Sequence, residues 1–170
     1  MKLTTFVLTL IIAASSQAFV LFEPYIGYNK GQEQTSAVQG IGLGIRLGID
    51  LHDFFIVADV DYGDLQMGTL TSVKFNNTGI DFGFRSSNIR MWYGMISSAQ
   101  LSYPSGASTV TTKGTGNKIG LGVMTSSSKV SVNMELKSLS YTSTDAGAGA
   151  GASPVTEIGT IGFLGVGWVY

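Results

Sequence analysis

From Gly40 to Ile49 the chain places an apolar residue at every second position. Ile41, Leu43, Ile45, Leu47 and Ile49 share one parity, and Gly40, Gly42, Gly44, Arg46 and Gly48 share the other. A period of two sends these sets to opposite faces of an extended strand, and it does not match the 3.6-residue period of a helix. In a soluble β-protein the apolar row would face inward, and the other row would have to cover the molecule against water. Four glycines and one arginine make a poor cover. They suit the narrow inside of a closed barrel, with the apolar row on the outside.

The same alternation runs through the chain from Phe19 onward, and helical spacing is sustained nowhere. It predicts an all-β chain with strands over Phe22–Asn29, Val38–Ile49, Phe54–Gly63, Thr78–Arg85, Ile89–Tyr103, Lys118–Thr125, Lys129–Tyr141 and Glu157–Tyr170. Ile80, Phe82 and Phe84 oppose Gly79, Asp81, Gly83 and Arg85. Ile119, Leu121 and Val123 oppose Lys118, Gly120 and Gly122, and Val130, Val132, Met134 and Leu136 oppose Lys129, Ser131, Asn133, Glu135 and Lys137.

The connections sort by length. Asp50–Asp53, Ser86–Asn88 and Ser126–Ser128 are short, whereas Lys30–Ala37, Asp64–Asn77, Pro104–Asn117 and Thr142–Thr156 are long. Short turns at one end and long loops at the other are the asymmetry of transmembrane β-barrels. An even strand number puts both termini at the short-turn end. Composition agrees: charged residues are only 12% of the chain, glycines number 23, and the net charge is −1. That is too little charge for an ordinary soluble surface and no electrostatic footprint for nucleic acid.

Charge placement tests the phase set by the apolar residues. Glu23, Arg46, Asp59, Asp61, Asp81, Arg85, Arg90, Lys118, Lys129, Glu135, Lys137 and Glu157 all fall on the polar parity, and the other charges fall in turns, loops or the N-terminal segment. Six acids and six bases imply mutual pairing in a barrel lumen, with the solvated face of a soluble barrel as the plainer alternative. Inward Phe55, Val57, Trp92, Met124 and Val169 are the expected plug of that lumen. The glycine rows argue for empty space instead, since each missing side chain leaves room. On the outward parity Phe22, Phe54, Phe84, Trp168 and Tyr170 would form one aromatic girdle, and Tyr28, Tyr62 and Tyr103 the other.

Residues 1–18 are set apart as a secretory signal peptide: Lys2, the apolar run Phe6–Ala14, then Ser16-Gln17-Ala18 with small residues where a signal peptidase reads. Nine residues in that apolar run, at 1.5 Å each, are too short to cross a bilayer as a helix. Residues 19–170 then form one barrel domain. Without cysteine the chain has neither thiol catalysis nor zinc–thiolate sites.

Taken together, Phe22-Glu23-Pro24-Tyr25-Ile26-Gly27-Tyr28 through Phe163-Leu164-Gly165-Val166-Gly167-Trp168-Val169-Tyr170 resembles the small outer-membrane β-barrel proteins of the OmpA and OmpX type. The resemblance implies an eight-stranded antiparallel up-and-down transmembrane β-barrel in the cell outer membrane. It also implies that Leu164, Val166, Trp168 and Tyr170 are the signal read by the barrel assembly machinery, although the family usually ends in Phe rather than Tyr. The peptidoglycan-binding domain that follows the barrel in OmpA is expected to be absent.

Some barrels similar to this one modify lipid A through His, Ser and an acidic residue. Here His52, the single histidine, falls in a turn at the opposite end from the outer leaflet and reads as a solvated turn residue. Asp59 and Asp61 lie on one face about 7 Å apart along a strand, and read as partners for Arg46 and Arg85 rather than as a catalytic pair. Gly40–Gly48 is a strand lining with no helix after it, hence no phosphate loop, and Ala146–Ala152 is an Ala-Gly loop tip. The expectation is a non-enzymatic protein without cofactor or metal, in contact with outer-membrane lipid and acting through its extracellular loops. A narrow passive channel and a soluble periplasmic barrel for a small apolar ligand are the alternatives.

Overall fold

The computed structural model describes residues 19–33, 36–51, 53–105, 108–125, 130–146 and 157–168. The predicted signal peptide, together with His52, Lys129, Val169 and Tyr170, lies outside the described residues. Eight strands run in chain order: β1 (Phe19–Glu33), β2 (Ser36–Asp50), β3 (Phe54–Met67), β4 (Leu70–Ser86), β5 (Ile89–Ser105), β6 (Ser108–Met124), β7 (Val130–Ala146) and β8 (Glu157–Trp168). Each pairs antiparallel with its sequence neighbours, and β1 closes on β8 through Tyr25↔Gly167 to Glu33↔Gly159. Closure leaves every described strand paired on both sides, which is how a sheet crosses lipid without unpaired backbone.

The end bearing the start of β1 is called lower here, and the end bearing the β3–β4 hairpin upper. In the lower part the apolar parity faces out. Ile41, Leu43, Ile45, Leu47 and Ile49 on β2 are 40–60% exposed, and Phe54, Ile80, Phe82, Phe84, Met91, Ile119, Leu121, Met134 and Leu136 continue the wall around the barrel. Nine residues at about 3.4 Å each, tilted about 40°, give a band about 23 Å tall, close to the ~25 Å apolar belt of a transmembrane barrel. A soluble monomer does not expose a continuous apolar wall of this kind.

Three of the expected long connections are strand instead. The β3–β4 link is the two-residue turn Gly68-Thr69, with Met67 opposite Leu70 and Gly68 at φ 57°. β1 and β2 are separated only by residues 34–35, and β5 and β6 only by residues 106–107. β7 runs on to Ala146, and residues 147–156 lie outside the described set. At these three connections the expected length is not found, because the strands grow upward past the apolar belt.

These extensions stay ordered because their polarity inverts. Val38, Leu65, Val73, Phe75, Ile96, Ala99, Leu101, Leu139 and Tyr141 point inward and form a buried apolar cluster. Lys74, Asn76, Thr109, Lys113, Thr115, Asn117, Ser138 and Thr142 are exposed on the outside. Below, the barrel is apolar outside and polar inside; above, it has the inside-out pattern of a water-facing β-barrel.

A bulge overturns one member of the expected girdle. The pairing of β5 skips residues at Ser97-Ser98, between Ile96 and Ala99, and the Ser97 hydroxyl donates to the Thr78 carbonyl at 3.1 Å. One extra residue reverses the parity of everything after it. Ala99 and Leu101 turn inward, and Tyr103 packs half-buried against the upper cluster rather than facing out.

Candidate functional site

The barrel interior is stacked in layers from the lower rim upward. At the rim, the part-exposed Arg85 pairs with Asp50 at 2.6 Å. Asp50, expected from sequence to open a turn, is the last residue of β2 and is buried. Above it, Leu21, Phe55, Val57 and Trp92 form a small apolar layer, with the Phe55 and Trp92 rings 6.5 Å apart between centroids.

The glycine rows do not leave this lumen open. A Cβ on Gly83 would run into the Phe55 ring, one on Gly120 into the Trp92 indole, and one on Gly44 into the Tyr25 ring. At these three positions the space of the missing side chain is taken by an aromatic from a neighbouring strand, and at Gly94, Gly122 and Gly167 it is taken by polar or charged side chains. The glycine rows therefore mark filled rather than empty space, contrary to the expectation from sequence.

Nine charged side chains fill the middle of the barrel: the acids Glu23, Asp59, Asp61, Asp81 and Glu135, and the bases Arg46, Arg90, Lys118 and Lys137, all buried. Each is inward because it stands on the parity opposite the apolar row of its strand, the parity held by glycines on β2, β4 and β6 and by Ser131 and Asn133 on β7. Arg90 grips Glu23 with two nitrogens, at 2.7 and 3.0 Å. Glu23 also accepts from Ser131 at 2.6 Å and from Asn133 at 3.0 Å. Arg46 sits at the centre, 3.3 Å from Glu23, in contact with Glu135, and 3.5 and 3.6 Å from Asp59 and Asp81. Its guanidinium lies between the Tyr25 and Trp92 rings, 4.5 and 4.8 Å from their centroids. The Tyr25 hydroxyl donates to Asp59 at 2.7 Å and the Trp92 indole N–H to Glu135 at 3.0 Å. Lys118 bridges Asp59 and Asp81 and reaches Glu135 at 3.6 Å, while Lys137 pairs with Asp61 and lies 3.7 Å from Glu135.

Burying this many charges is favourable only where each is matched, because desolvation costs several kcal/mol per ion. The layer meets that condition through shared partners rather than isolated pairs. The carboxylates Asp59, Asp81 and Glu135 approach closely enough to hold a cation, and Lys118 and Arg46 already occupy that position. Of the pairings expected for Asp59 and Asp61, that of Asp59 with Arg46 is present, with Lys118 as a further partner, whereas Asp61 binds Lys137 and Arg85 goes to Asp50 at the rim.

Of the expected plug, Phe55, Val57 and Trp92 are buried, whereas Met124 is half-buried near the lower end of β6. Glu157 opens β8 opposite Tyr141, and Leu164, Val166 and Trp168 lie along β8 opposite Met134, Val132 and Val130. Val166 faces outward at 37% exposure. Sequence reasoning does not find the upper apolar cluster: Leu65, Val73 and Phe75 fall in an expected loop, and Val38, Ile96, Ala99, Leu101, Leu139 and Tyr141 fall in expected strands without being assigned to a core; the alternation of Val73, Phe75 and Asn77 is the available signal. Two voids between the charge layer and the upper cluster measure about 10 Å³ each, room for roughly one water apiece.

An eight-stranded up-and-down barrel with an apolar outer belt and a charged, filled interior defines a class. The fold is that of the small outer-membrane β-barrel proteins of the OmpA and OmpX type. Among solved structures it is similar to Ail, the attachment invasion locus protein of Yersinia pestis, crystallised with the heparin analogue sucrose octasulfate. The TM-score is 0.60 at 11% identity, over 89% of this chain and 99% of that one. It is also similar to Neisserial surface protein A, NspA, with a TM-score of 0.57 at 15% identity, over 90% of this chain and 99% of that one. No protein-family model and no curated protein sequence matches the chain.

Proposed function

We propose that this chain is a non-enzymatic integral outer-membrane protein, closed to solutes, that presents the upper part of its barrel at the cell surface. The observation that supports this reading is the inversion of polarity along the barrel height. A wall that is apolar outside and charged inside for about 23 Å, then polar outside and apolar inside, matches a bilayer below and water above. Export through the leader at residues 1–18, and insertion by the barrel assembly machinery acting on Leu164, Val166, Trp168 and Tyr170, belong to the same proposal.

Two features favour a closed barrel over a channel. The charge layer spans the lumen with its acids and bases engaged with one another, and an apolar layer lies on each side of it. A soluble barrel for an apolar ligand is disfavoured by the same layer, since it puts charge where such a ligand would sit. Among the described residues, the surface role rests on the upper strand walls and the short β1–β2, β3–β4 and β5–β6 connections.

Heat-modifiable migration of the outer-membrane fraction in gels, followed by single-channel recording on refolded protein, tests the proposal. A compact form that unfolds on boiling, with no steady conductance in either the natural chain or Trp92→Ala, is expected, because the upper apolar cluster remains when the indole is removed. Ohmic conductance of the natural chain refutes closure, and recovery in the soluble periplasmic fraction refutes the membrane assignment.

A further inference from the structure

At the level where the outer wall changes from apolar to polar, β1 to β4 border an open furrow of about 1060 Å³ on the outside of the barrel. Its lower part is lined by Ile41, Leu43 and the exposed rings of Tyr28 and Tyr62. Its upper part is lined by Gln39, Gln66 and Asn76, with Asp64 and Lys74 directly opposite each other on β3 and β4. The Tyr28 hydroxyl donates to Gln39 at 3.2 Å, and Gln39 donates to Gln66 at 3.2 Å, so one polar chain crosses three strands along the wall.

Two local irregularities sit on this furrow. The β3–β4 register shifts between Leu65 and Met67, so that Gln66 stands at a bulge, a device that re-aims a side chain. Ser72, also in the lining, has φ 74°, a left-handed conformation that a non-glycine residue adopts at a cost and that gathers at binding sites. Among the described residues, the other positive φ values belong to the turn residues Gly68 and Ser87, which leaves Ser72 alone within a strand.

We propose that this furrow binds the membrane-boundary portion of a glycolipid with an uncharged sugar headgroup. Its acyl chains would lie over Ile41 and Leu43, and its sugar hydroxyls would meet the Gln39, Gln66 and Asn76 amides. The choice of a sugar follows from charge. The lining holds one acid and one base facing each other, so it offers no net attraction to a phosphate. Side-chain amides supply both donors and acceptors, as hydroxyl groups require. Tyrosine rings at an interface present an apolar face with a polar tip, which suits the C–H face of a pyranose beside a hydrocarbon boundary.

The proposal rests on the membrane reading above, and one experiment separates the two. The full barrel is refolded into phosphatidylcholine nanodiscs and titrated with monoglucosyl diacylglycerol, with phosphatidylglycerol as the anionic comparison, while backbone and side-chain amide NMR shifts are followed. Saturable shifts at Gln39, Gln66, Asn76, Gly40 and Gly63 are expected, at least tenfold weaker in a Gln39→Ala/Gln66→Ala variant whose heat-modifiable migration is unchanged. Equal response to phosphatidylglycerol overturns the sugar assignment, and shifts spread evenly around the apolar belt overturn the site. A barrel that fails to enter nanodiscs overturns the membrane reading, and the glycolipid proposal falls with it.

Discussion

The seating of Trp92 against Gly120 gives a measurable coupling. A Cβ on Gly120 would meet indole atoms Cε2, Cζ2 and Nε1 well inside van der Waals contact. The ring cannot drift aside freely, because its N–H is bonded to Glu135 and Arg46 lies against its face. Gly120→Ala in the natural chain is therefore an overpacking change, expected to cost about 1–3 kcal/mol. Trp92→Ala removes a buried ring, its hydrogen bond and a cation–π contact, and is expected to cost about 3–5 kcal/mol. In that background the clash is gone, and alanine is favoured over glycine in a strand by roughly 0.5–1 kcal/mol. The two changes should then couple favourably by about 1.5–4 kcal/mol. Urea titration of the refolded barrel, with the heat-modifiable band as the folded fraction, measures all four corners of the cycle. Additivity within about 0.5 kcal/mol would refute the claim that the ring fills the glycine's space.

Other perturbations probe other layers. Leu43→Arg puts a charge on the apolar belt and should cost about 2–4 kcal/mol of folding into liposomes, whereas Thr115→Arg, outward on the upper wall, should stay within about 0.5 kcal/mol; Gly44→Ser is no neutral control, since its side chain would collide with Tyr25. Arg46→Ala strips the shared partner from four carboxylates and should destabilise the barrel by about 3–5 kcal/mol, read in the same urea titration. Ser87 holds φ 53° in the β4–β5 turn, so Ser87→Gly should stabilise by up to about 1 kcal/mol in refolding yield against urea. Removing residues 168–170 deletes the Val130↔Trp168 pairing and the family's assembly signal, and is expected to abolish heat-modifiable protein in the outer-membrane fraction.

The parity of the lower barrel was legible because lipid makes a harsh selector. No charge is tolerated on the outward face there, so the alternation of Ile41 to Ile49 and the placement of Arg46 and Asp59 carry the phase without ambiguity. Above the belt that selector is gone. Thr109, Thr111 and Lys113 are compatible with a strand or a loop, and only their partners across the wall decide. Tyr103 shows a different limit: its side depends on an extra residue at Ser97-Ser98, and a single-sequence pattern reads straight through a bulge. The identity of ion partners was out of reach for a related reason. Parity reports which face a charge shares, whereas pairing across the lumen depends on shear, which brings Lys137 to Asp61 and sends Arg85 down to Asp50.

The polarity inversion also decides where specificity can reside. An interior whose charges answer one another, capped above and below by apolar layers, has little capacity left to recognise anything from outside. Changing one inner residue is felt as stability through its several partners, as at Arg46 between Glu23, Asp59, Asp81 and Glu135. The outer wall above the belt lacks that interdependence. Its residues are exposed, and a pair such as Lys113 with Asp145 contributes little at the surface. They can vary at small cost to the fold, so under the proposed surface role selection for binding would act on the upper outer wall and on the furrow at the edge of the apolar belt rather than on the interior.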